Sequence, residues 1–191
     1  MAAVLTKTAD RLDRCKSRGR DVRSKYASSV VLLLLVSAFL LLENLLQLRT
    51  AVQIGPDEGF ELAKVTLLSR GHKLYTEIWN DQPPLHTFLI TQLVTRISWS
   101  ILIPRLVSVA CACVLICSVF VICLRTCGLL AATVAGVLLL ASPEFLALSA
   151  SCMLEIPSLT PAVSGLCLLL MLCLRKYPTF SSAPGSMSKL S

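Results

Sequence analysis

Residues 106–124 read LVSVACACVLICSVFVICL and contain no charged side chain over 19 positions. A transmembrane α-helix needs about 20 predominantly apolar residues to cross the hydrocarbon layer of a bilayer. This stretch therefore predicts a membrane-spanning helix, and its position in a membrane guides the interpretation of the rest of the chain.

The composition agrees with that prediction. Of the 191 residues, 55% are hydrophobic and 15% are charged, and the mean hydropathy is +0.75. A soluble domain of this length does not need so much apolar surface to form one core. The composition therefore excludes a soluble globular protein and predicts an all-α polytopic membrane protein.

Three further apolar stretches accompany the first one, and two of them have clear boundaries. Pro143 and Glu144 break the third stretch near its end, and Arg175 with Lys176 stops the last one. Charged residues of this kind flank transmembrane helices rather than enter them. The four predicted spans cover about residues 27–48, 105–124, 129–149 and 158–174.

The N-terminal residues 1–27 form a basic arm with eight Lys or Arg side chains against three Asp, so they carry most of the formal net charge of +7. Such an arm could bind nucleic acid. Directly before an apolar run, however, it is typical of a cytoplasmic anchor, so we expect no nucleic-acid partner. A cleavable signal peptide is the other alternative, but the basic region is long and no small-residue cleavage site follows it.

The segment of residues 49–103 is predicted to be an outer loop with two amphipathic helices, at about 58–70 and 84–97. Both are too short to span, and helices of this kind lie along a membrane surface with their apolar faces in lipid. Counting residues 84–97 as a span would move the later basic residues to the outside, so the charge bias favours four spans. We expect Glu61 and Lys64 on the wetter face, and His72 and His86 in solvent.

The first of these helices begins with the acidic pair Asp57-Glu58. One interpretation is structural, because Asp is a good N-cap and the helix dipole favours an acidic residue in the first turn. The other is chemical, because a carboxylate held at a membrane surface can act as a general base toward a polar substrate attached to a lipid. The residues alone leave both interpretations open.

A family resemblance favours the chemical interpretation. The chain resembles the protein O-mannosyltransferases and aminoarabinose transferases of the GT-C superfamily over about residues 30–175. The motifs that carry the resemblance are Asp57-Glu58-Gly-Phe, Leu68-Ser-Arg-Gly-His-Lys-Leu-Tyr75, Trp79-Asn-Asp-Gln-Pro-Pro-Leu85, Ile103-Pro-Arg-Leu-Val-Ser108, Ser142-Pro143 and Met153-Leu-Glu-Ile-Pro157.

The resemblance implies a GT-C-like fold and a glycosyltransferase that uses a polyprenyl-phosphate-linked sugar on the non-cytoplasmic side. Asp57 would be the catalytic base of an inverting displacement. Glu58 would orient Asp57 or the acceptor, and Glu155 would shape the acceptor side. The acceptor would be a protein, a lipid or a glycan, and the enzyme would lie in a bacterial inner membrane or the endoplasmic reticulum with its N-terminus cytoplasmic.

Several further residues are candidate substrate contacts under this resemblance. Cations such as Lys73 and Arg105 could meet the leaving phosphate, or could be interface residues whose charges reach water. Tyr75 and Trp79 could stack on a sugar or belong to an interfacial aromatic belt. Asp81 could be an N-cap or a substrate contact. No cofactor is assigned, and a divalent metal among the acidic residues is left open.

The resemblance covers the N-terminal portion of such an enzyme, and residues 176–191 are predicted to be a disordered tail. This leaves a second hypothesis, a truncated non-catalytic membrane protein that binds a lipid-linked ligand or assembles with partners. A channel or transporter is less favoured, because no predicted span has a charged residue near its centre.

Overall fold

A computed structural model describes residues 26–45, 56–80, 82–97 and 102–176. The predictions for the basic arm and for the C-terminal tail lie outside these residues. The described residues form seven α-helices and no β-strand. They are α1 (Tyr26–Leu45), α2 (Pro56–Ser69), α3 (Pro84–Ile97), α4 (Leu102–Thr126), α5 (Leu129–Ala141), α6 (Pro143–Ser149) and α7 (Glu155–Lys176).

Three of these helices, α1, α4 and α7, are long and apolar enough to cross a membrane. Helices α5 and α6 pass the same criterion only together, and they meet at a bend of 71°. The structure therefore has three candidate spans, or four if the bent pair is one span, as expected of an all-helical membrane protein.

The bend between α5 and α6 follows from two residues. Pro143 has no backbone N–H to continue the helix, so α5 ends before it. Ser142 then starts α6 as an N-cap, because its side-chain oxygen accepts a hydrogen bond from the backbone N–H of Phe145. The predicted break at Pro143 is thus a change of helix direction.

Helix α4 is the centre of the described structure, and it contacts α3, α5, α6 and α7. One apolar cluster gathers residues of α1, α4, α6 and α7, and within it the rings of Phe39 and Phe145 lie 5.8 Å apart. A second cluster joins α1, α4 and α5 around Leu35, Phe120 and Ala132. Gly128, at a φ of 92°, allows the tight turn between α4 and α5.

Helices α2 and α3 pack against each other through a mixed interface, where Val65, Ile90 and Val94 form an apolar cluster beside buried polar side chains. The buried residues of α3 are His86, Thr87, Ile90, Thr91 and Val94, of which three are polar. Its largest apolar side chains point outward instead, with Leu85 78% and Ile97 68% exposed. Helix α3 thus turns part of each face inward, since Gln92, Thr95 and Arg96 of its polar side are exposed as well.

The same pattern in α2 corrects one prediction. Phe60 is exposed, as expected of a lipid-facing residue, but Glu61 and Lys64 are buried rather than on a wet face. The expectation counted two surroundings, membrane and water, whereas this face of α2 packs on the protein.

Candidate functional site

An ion pair between the start of α2 and the start of α4 organises the site. Both nitrogens Nε and Nη2 of Arg105 donate to the carboxylate of Glu58, one to each oxygen, at 3.0 Å. Both side chains are buried, and Glu58 also accepts a hydrogen bond from the backbone N–H of Cys152 at 3.1 Å. A bidentate pair with a third donor is the arrangement that compensates best for burial of a carboxylate.

We call these three residues the Glu58 clamp. It joins the first turn of α2, the first turn of α4 and the turn between α6 and α7. The thiol of Cys152 is fully buried beside it. Burial, together with the negative charges of Glu58 and Glu61, raises the pKa of Cys152 to about 12, so its sulfur is a neutral packing group.

A cavity of about 550 Å³ opens next to this clamp. Helix α2 forms one wall, the segment between α2 and α3 forms another, and the start of α7 with the preceding turn forms the third. The lining is mixed in character and consists of Phe60, Glu61, Lys64, Trp79, Gln82, Met153, Leu154 and Glu155. Polar groups beside apolar and aromatic walls are typical of small-molecule binding sites.

On the α2 wall, the ammonium nitrogen of Lys64 lies 2.7 Å from the carboxylate of Glu61. It also lies 5.9 Å from the centre of the Trp79 ring, within the range of a cation–π interaction. The hydroxyl of Thr87 on α3 donates to the other oxygen of Glu61 at 3.5 Å. These contacts fix a Lys–Glu pair on the cavity wall.

Behind the cavity, the imidazole of His86 is 7% exposed, and neither ring nitrogen has a hydrogen-bond partner among the described residues. Burial lowers the pKa of His86, while the nearby charges of Glu61 and Glu155 oppose that shift. The expectation of a solvated His86 was therefore wrong. The pattern of α3 was assigned with its polar side in water, whereas that side packs on the protein.

The structure brings together two of the sequence-predicted site residues, Trp79 and Glu155, on the cavity walls. It brings together two others, Glu58 and Arg105, as an ion pair with each other. Asp57 lies in the first turn of α2, one helical turn before Glu61, but its side chain lies outside the described part of the chain. Asp81 also lies outside it.

Lys73 and Tyr75 belong to a compact turn rather than to the cavity lining. The backbone N–H of Lys73 donates to Glu77, and the hydroxyl of Tyr75 donates to the backbone oxygen of Gln82 at 2.9 Å. Tyr75 has a φ of 69°, a conformation that costs a non-glycine residue energy. The turn is held by the buried side chains of Leu74 and Ile78, so that Trp79 follows it at the cavity.

One buried carboxylate lies outside this site. Glu43, near the end of α1, is fully buried and accepts a hydrogen bond from the hydroxyl of Ser149 on α6 at 2.7 Å. Its second carboxylate oxygen has no partner within the described ranges. Glu43 therefore ties α1 to α6 inside the bundle.

The described residues contain no group of three or more His, Cys, Asp or Glu side chains that could hold a metal ion. Comparison with family models, with curated proteins and with solved structures finds no match to this chain. The functional argument therefore rests on the residues and the geometry.

Three polar residues of the cavity lining, Glu61, Lys64 and Gln82, and the buried His86 nearby had no functional assignment from the sequence. For two of them a signal was present, since Glu61 and Lys64 are spaced by three residues and helical neighbours at that spacing can pair. His86 gave no signal of its own, because only the packing of α3 on the protein shows that its ring is buried.

Proposed function

We propose that this protein transfers a glycosyl group from a polyprenyl-phosphate-linked sugar to an acceptor on the non-cytoplasmic side of the membrane. The observation that carries the proposal is the cavity beside α2, which combines carboxylates, an amide and an indole next to outward-facing apolar helices. A lipid-linked sugar has the same two halves. Its polar head would enter the cavity while its chain stays in the bilayer.

In the proposed reaction Asp57 is the general base. Its carboxylate takes the proton of an acceptor hydroxyl or amine, and the freed electron pair attacks the anomeric carbon. The bond from that carbon to the phosphate oxygen breaks, and polyprenyl phosphate leaves with the bonding electrons. The product has the inverted configuration. Asp57 precedes Glu61 by one helical turn, so its backbone lies next to the cavity wall.

Glu155 and Trp79 are the proposed contacts to the polar groups and the ring of the substrate. Glu155 lines the cavity from the start of α7, and Trp79 is 74% exposed beside it. Aromatic rings commonly pack on the apolar faces of ligands, while a few polar groups fix their orientation.

For Glu58 and Arg105 we propose a positioning role. The two side chains are buried and bind each other in a bidentate ion pair, and neither of them lines the cavity. By joining the first turns of α2 and α4, the clamp fixes the start of α2 and thereby the backbone at Asp57. Lys64 replaces Arg105 as the cation nearest to a bound ligand, since Lys64 lines the cavity.

The proposed topology has four spans, a GT-C-like arrangement, and a cytoplasmic N-terminus, with α5 and α6 forming one bent span. In that arrangement the turn at Gly128 is cytoplasmic, and the turn around Cys152 is on the outer side with α2 and α3. An epitope tag inserted after Gly128 would be protected from an impermeant antibody in intact cells. Labelling of that tag from outside would exclude the four-span arrangement.

A second candidate function is binding of a lipid-linked ligand without turnover. It is favoured by one observation, that both Glu58 and Glu61 already pair with cations inside the protein. Carboxylates paired in this way shape a cavity, and their charges are already matched by cations of the protein. The two functions therefore differ in whether Asp57 has a chemical role.

The deciding experiment is sugar transfer from radiolabelled polyprenyl-phosphate donors in membranes that contain the protein. We expect the wild type to transfer label and Asp57→Asn to lose about a hundredfold or more, because removal of a general base typically costs that much. Glu144→Gln is the matched control, since Glu144 is an exposed carboxylate in the first turn of α6 that does not line the cavity. It should keep full activity.

The opposite result is equally clear. If neither the wild type nor Asp57→Asn transfers label, while both retain a labelled donor in a filter-binding assay, the binding function replaces the transferase. Equal transfer by both forms would remove Asp57 from the mechanism.

A further inference from the structure

Helices α4 and α7 run in the same direction, and two polar contacts fix which of their sides face each other. The hydroxyl of Thr160 on α7 donates to the backbone oxygen of Cys111 on α4 at 3.0 Å. Farther along both helices, the hydroxyl oxygens of Ser118 and Ser164 lie 3.2 Å apart. The side of α4 that bears Cys111 and Ser118 therefore faces the side of α7 that bears Thr160 and Ser164.

Both of these facing sides end in an arginine. At about 3.6 residues per turn, Arg125 follows Ser118 by about two turns on the same side of α4. Arg175 follows Ser164 by about three turns on the same side of α7. Neither helix is interrupted between its serine and its arginine, since Pro161 comes before that stretch of α7.

The two arginines belong to the same end of the helix pair. At a rise of about 1.5 Å per residue, Arg125 lies about 10 Å beyond Ser118 and Arg175 lies about 16 Å beyond Ser164. Two long, flexible side chains can bridge the difference of about 6 Å between these levels. Both side chains are exposed. The two guanidinium groups can therefore approach one ligand from two helices.

This end of the helix pair is basic. Arg125, Arg175 and Lys176 lie here, whereas the carboxylates with described side chains lie in residues 56–80, in α6 or at the adjoining ends of α1 and α7. Within the described ranges, no carboxylate forms an ion pair with Arg125 or Arg175. Guanidinium groups that converge in this way repel each other, and an anion bound between them offsets the repulsion.

The depth of this end in a bilayer indicates a lipid as the anion. Arg105 of the Glu58 clamp and Glu155 of the cavity mark the opposite ends of α4 and α7. From them to Arg125 and Arg175, each helix advances by about 30 Å, the thickness of the hydrocarbon layer. The neighbouring side chain of Leu172 is 62% exposed. A phosphate at the two arginines therefore lies at headgroup level, with apolar surface beside it for acyl chains.

We infer that Arg125 and Arg175 bind the phosphate of an anionic phospholipid between the ends of α4 and α7. Arginine presents paired N–H donors that match phosphate oxygens. Basic pockets between transmembrane helices on the cytoplasmic side bind lipid headgroups of this kind, and the proposed topology places this end on that side. The lipid joins α4 to α7 at this end, as the Glu58 clamp joins separate helices at the other.

Native mass spectrometry of the full chain in detergent counts bound lipids and measures their dissociation constants. Phosphatidylglycerol is the anionic probe, and phosphatidylcholine with the same acyl chains is the zwitterionic one. We expect phosphatidylglycerol to bind about tenfold tighter or more, because phosphatidylcholine carries its own cation beside the phosphate. Inorganic phosphate, added at the concentration of the lipid, should not displace it.

Two variants each remove one guanidinium group, and a third variant is the matched control. Arg125→Gln and Arg175→Gln should each weaken phosphatidylglycerol binding about fivefold or more, through loss of one charged contact. Lys176→Gln removes the same charge from the same end. Because Lys176 is turned about 100° from Arg175 on the helix, this control should change the affinity less than about twofold. All three positions are exposed, so the variants should fold.

An equal loss of affinity in all three variants would show a general attraction to the basic end and would overturn the inference. Unchanged affinity in both arginine variants, equal binding of the two lipids, or displacement by inorganic phosphate would overturn it as well. The site shares no residue with the cavity, and the measurement needs no sugar donor. Failure of lipid binding therefore leaves the proposed sugar transfer standing, and failure of sugar transfer leaves this site standing.

Discussion

Helix α2 carries two Glu–cation pairs only one turn apart, and they differ in what surrounds them. Glu58 is bound by Arg105 from a helix 47 residues away and by the backbone of Cys152, 94 residues away. Glu61 is bound by Lys64 on its own helix, three residues on, and the pair borders a cavity. The two pairs are equally hidden, with all four side chains at most 7% exposed.

Burial alone therefore does not distinguish an ion pair that stabilises the fold from one that takes part in binding. The Glu58 pair joins three separate parts of the fold, so its loss would loosen them from each other. The Glu61 pair lies within α2, with further contacts from Thr87 of α3 and from Trp79, and it borders the cavity, where water or a ligand can replace either partner. We therefore expect the first to control stability and the second to control binding.

The largest effect should come from Arg105→Met. It leaves the carboxylate of Glu58 buried without its cation, which typically costs about 3–5 kcal/mol. The free energy of unfolding in detergent, followed by thermal denaturation, should fall by that amount. Arg96→Met, on an exposed arginine at the end of α3, should leave the unfolding temperature close to that of the wild type.

A double variant tests whether the loss of stability comes from the unpaired charge of Glu58. Glu58→Leu combined with Arg105→Met removes both charges and should recover much of the lost stability, since paired apolar replacements of buried ion pairs are often tolerated. A double variant as unstable as Arg105→Met alone would show that the clamp acts through packing and not through charge.

A smaller effect is expected for Lys64→Met. The carboxylate of Glu61 keeps the hydrogen bond from Thr87, and the cavity admits water to it. We expect a loss of about 1.5–3 kcal/mol in unfolding free energy, the usual range for one hydrogen bond to a charged group. A loss as large as that of Arg105→Met would erase the distinction between the two pairs.

The smallest effect should be a pH dependence that originates at His86. Burial lowers the pKa of His86 in the folded protein, whereas the unfolded chain binds that proton near the ordinary value of 6.5. The unfolded state then holds more protons as the pH falls through 6.5, so the folded protein loses stability on acidification. Stability at neutral pH is unaffected, because both states are then deprotonated at this ring.

Thermal denaturation at pH 7.5, 6.0 and 5.0 measures this effect. His86→Leu should lower the slope of unfolding temperature against pH relative to the wild type. Identical slopes for His86→Leu and the wild type would mean that His86 does not titrate between the folded and unfolded states in this range.

The predictions from the sequence agreed with the structure where they rested on hydrophobic periodicity and on the length of the apolar stretches. The bounds of α3, predicted at about 84–97, correspond to the observed helix Pro84–Ile97. The all-helical character and the long apolar helices are confirmed for the described residues, whereas the number of spans, the GT-C-like arrangement and the glycosyltransferase activity stay predictions.

The sequence was less informative about which side chains of a helix face the rest of the protein. For both α2 and α3 it identified an apolar and a polar face, but it could not say which of the polar side chains pack on protein. Glu61, Lys64 and His86 were assigned to water for this reason. An amphipathic pattern records a difference between two sides of a helix, and in a membrane protein either side can be the buried one.

The sequence alone predicts the membrane environment and the helix breaks, because both follow from local chemistry. Uninterrupted apolar stretches predict a bilayer, and Pro143 predicts the end of a helix. The sequence does not show which charged side chains lie against which partners in the folded protein. Arg105 pairs with Glu58, Lys64 meets the ring of Trp79, and Glu155 faces the same cavity, since these distances depend on how separate segments pack and not on spacing along the chain.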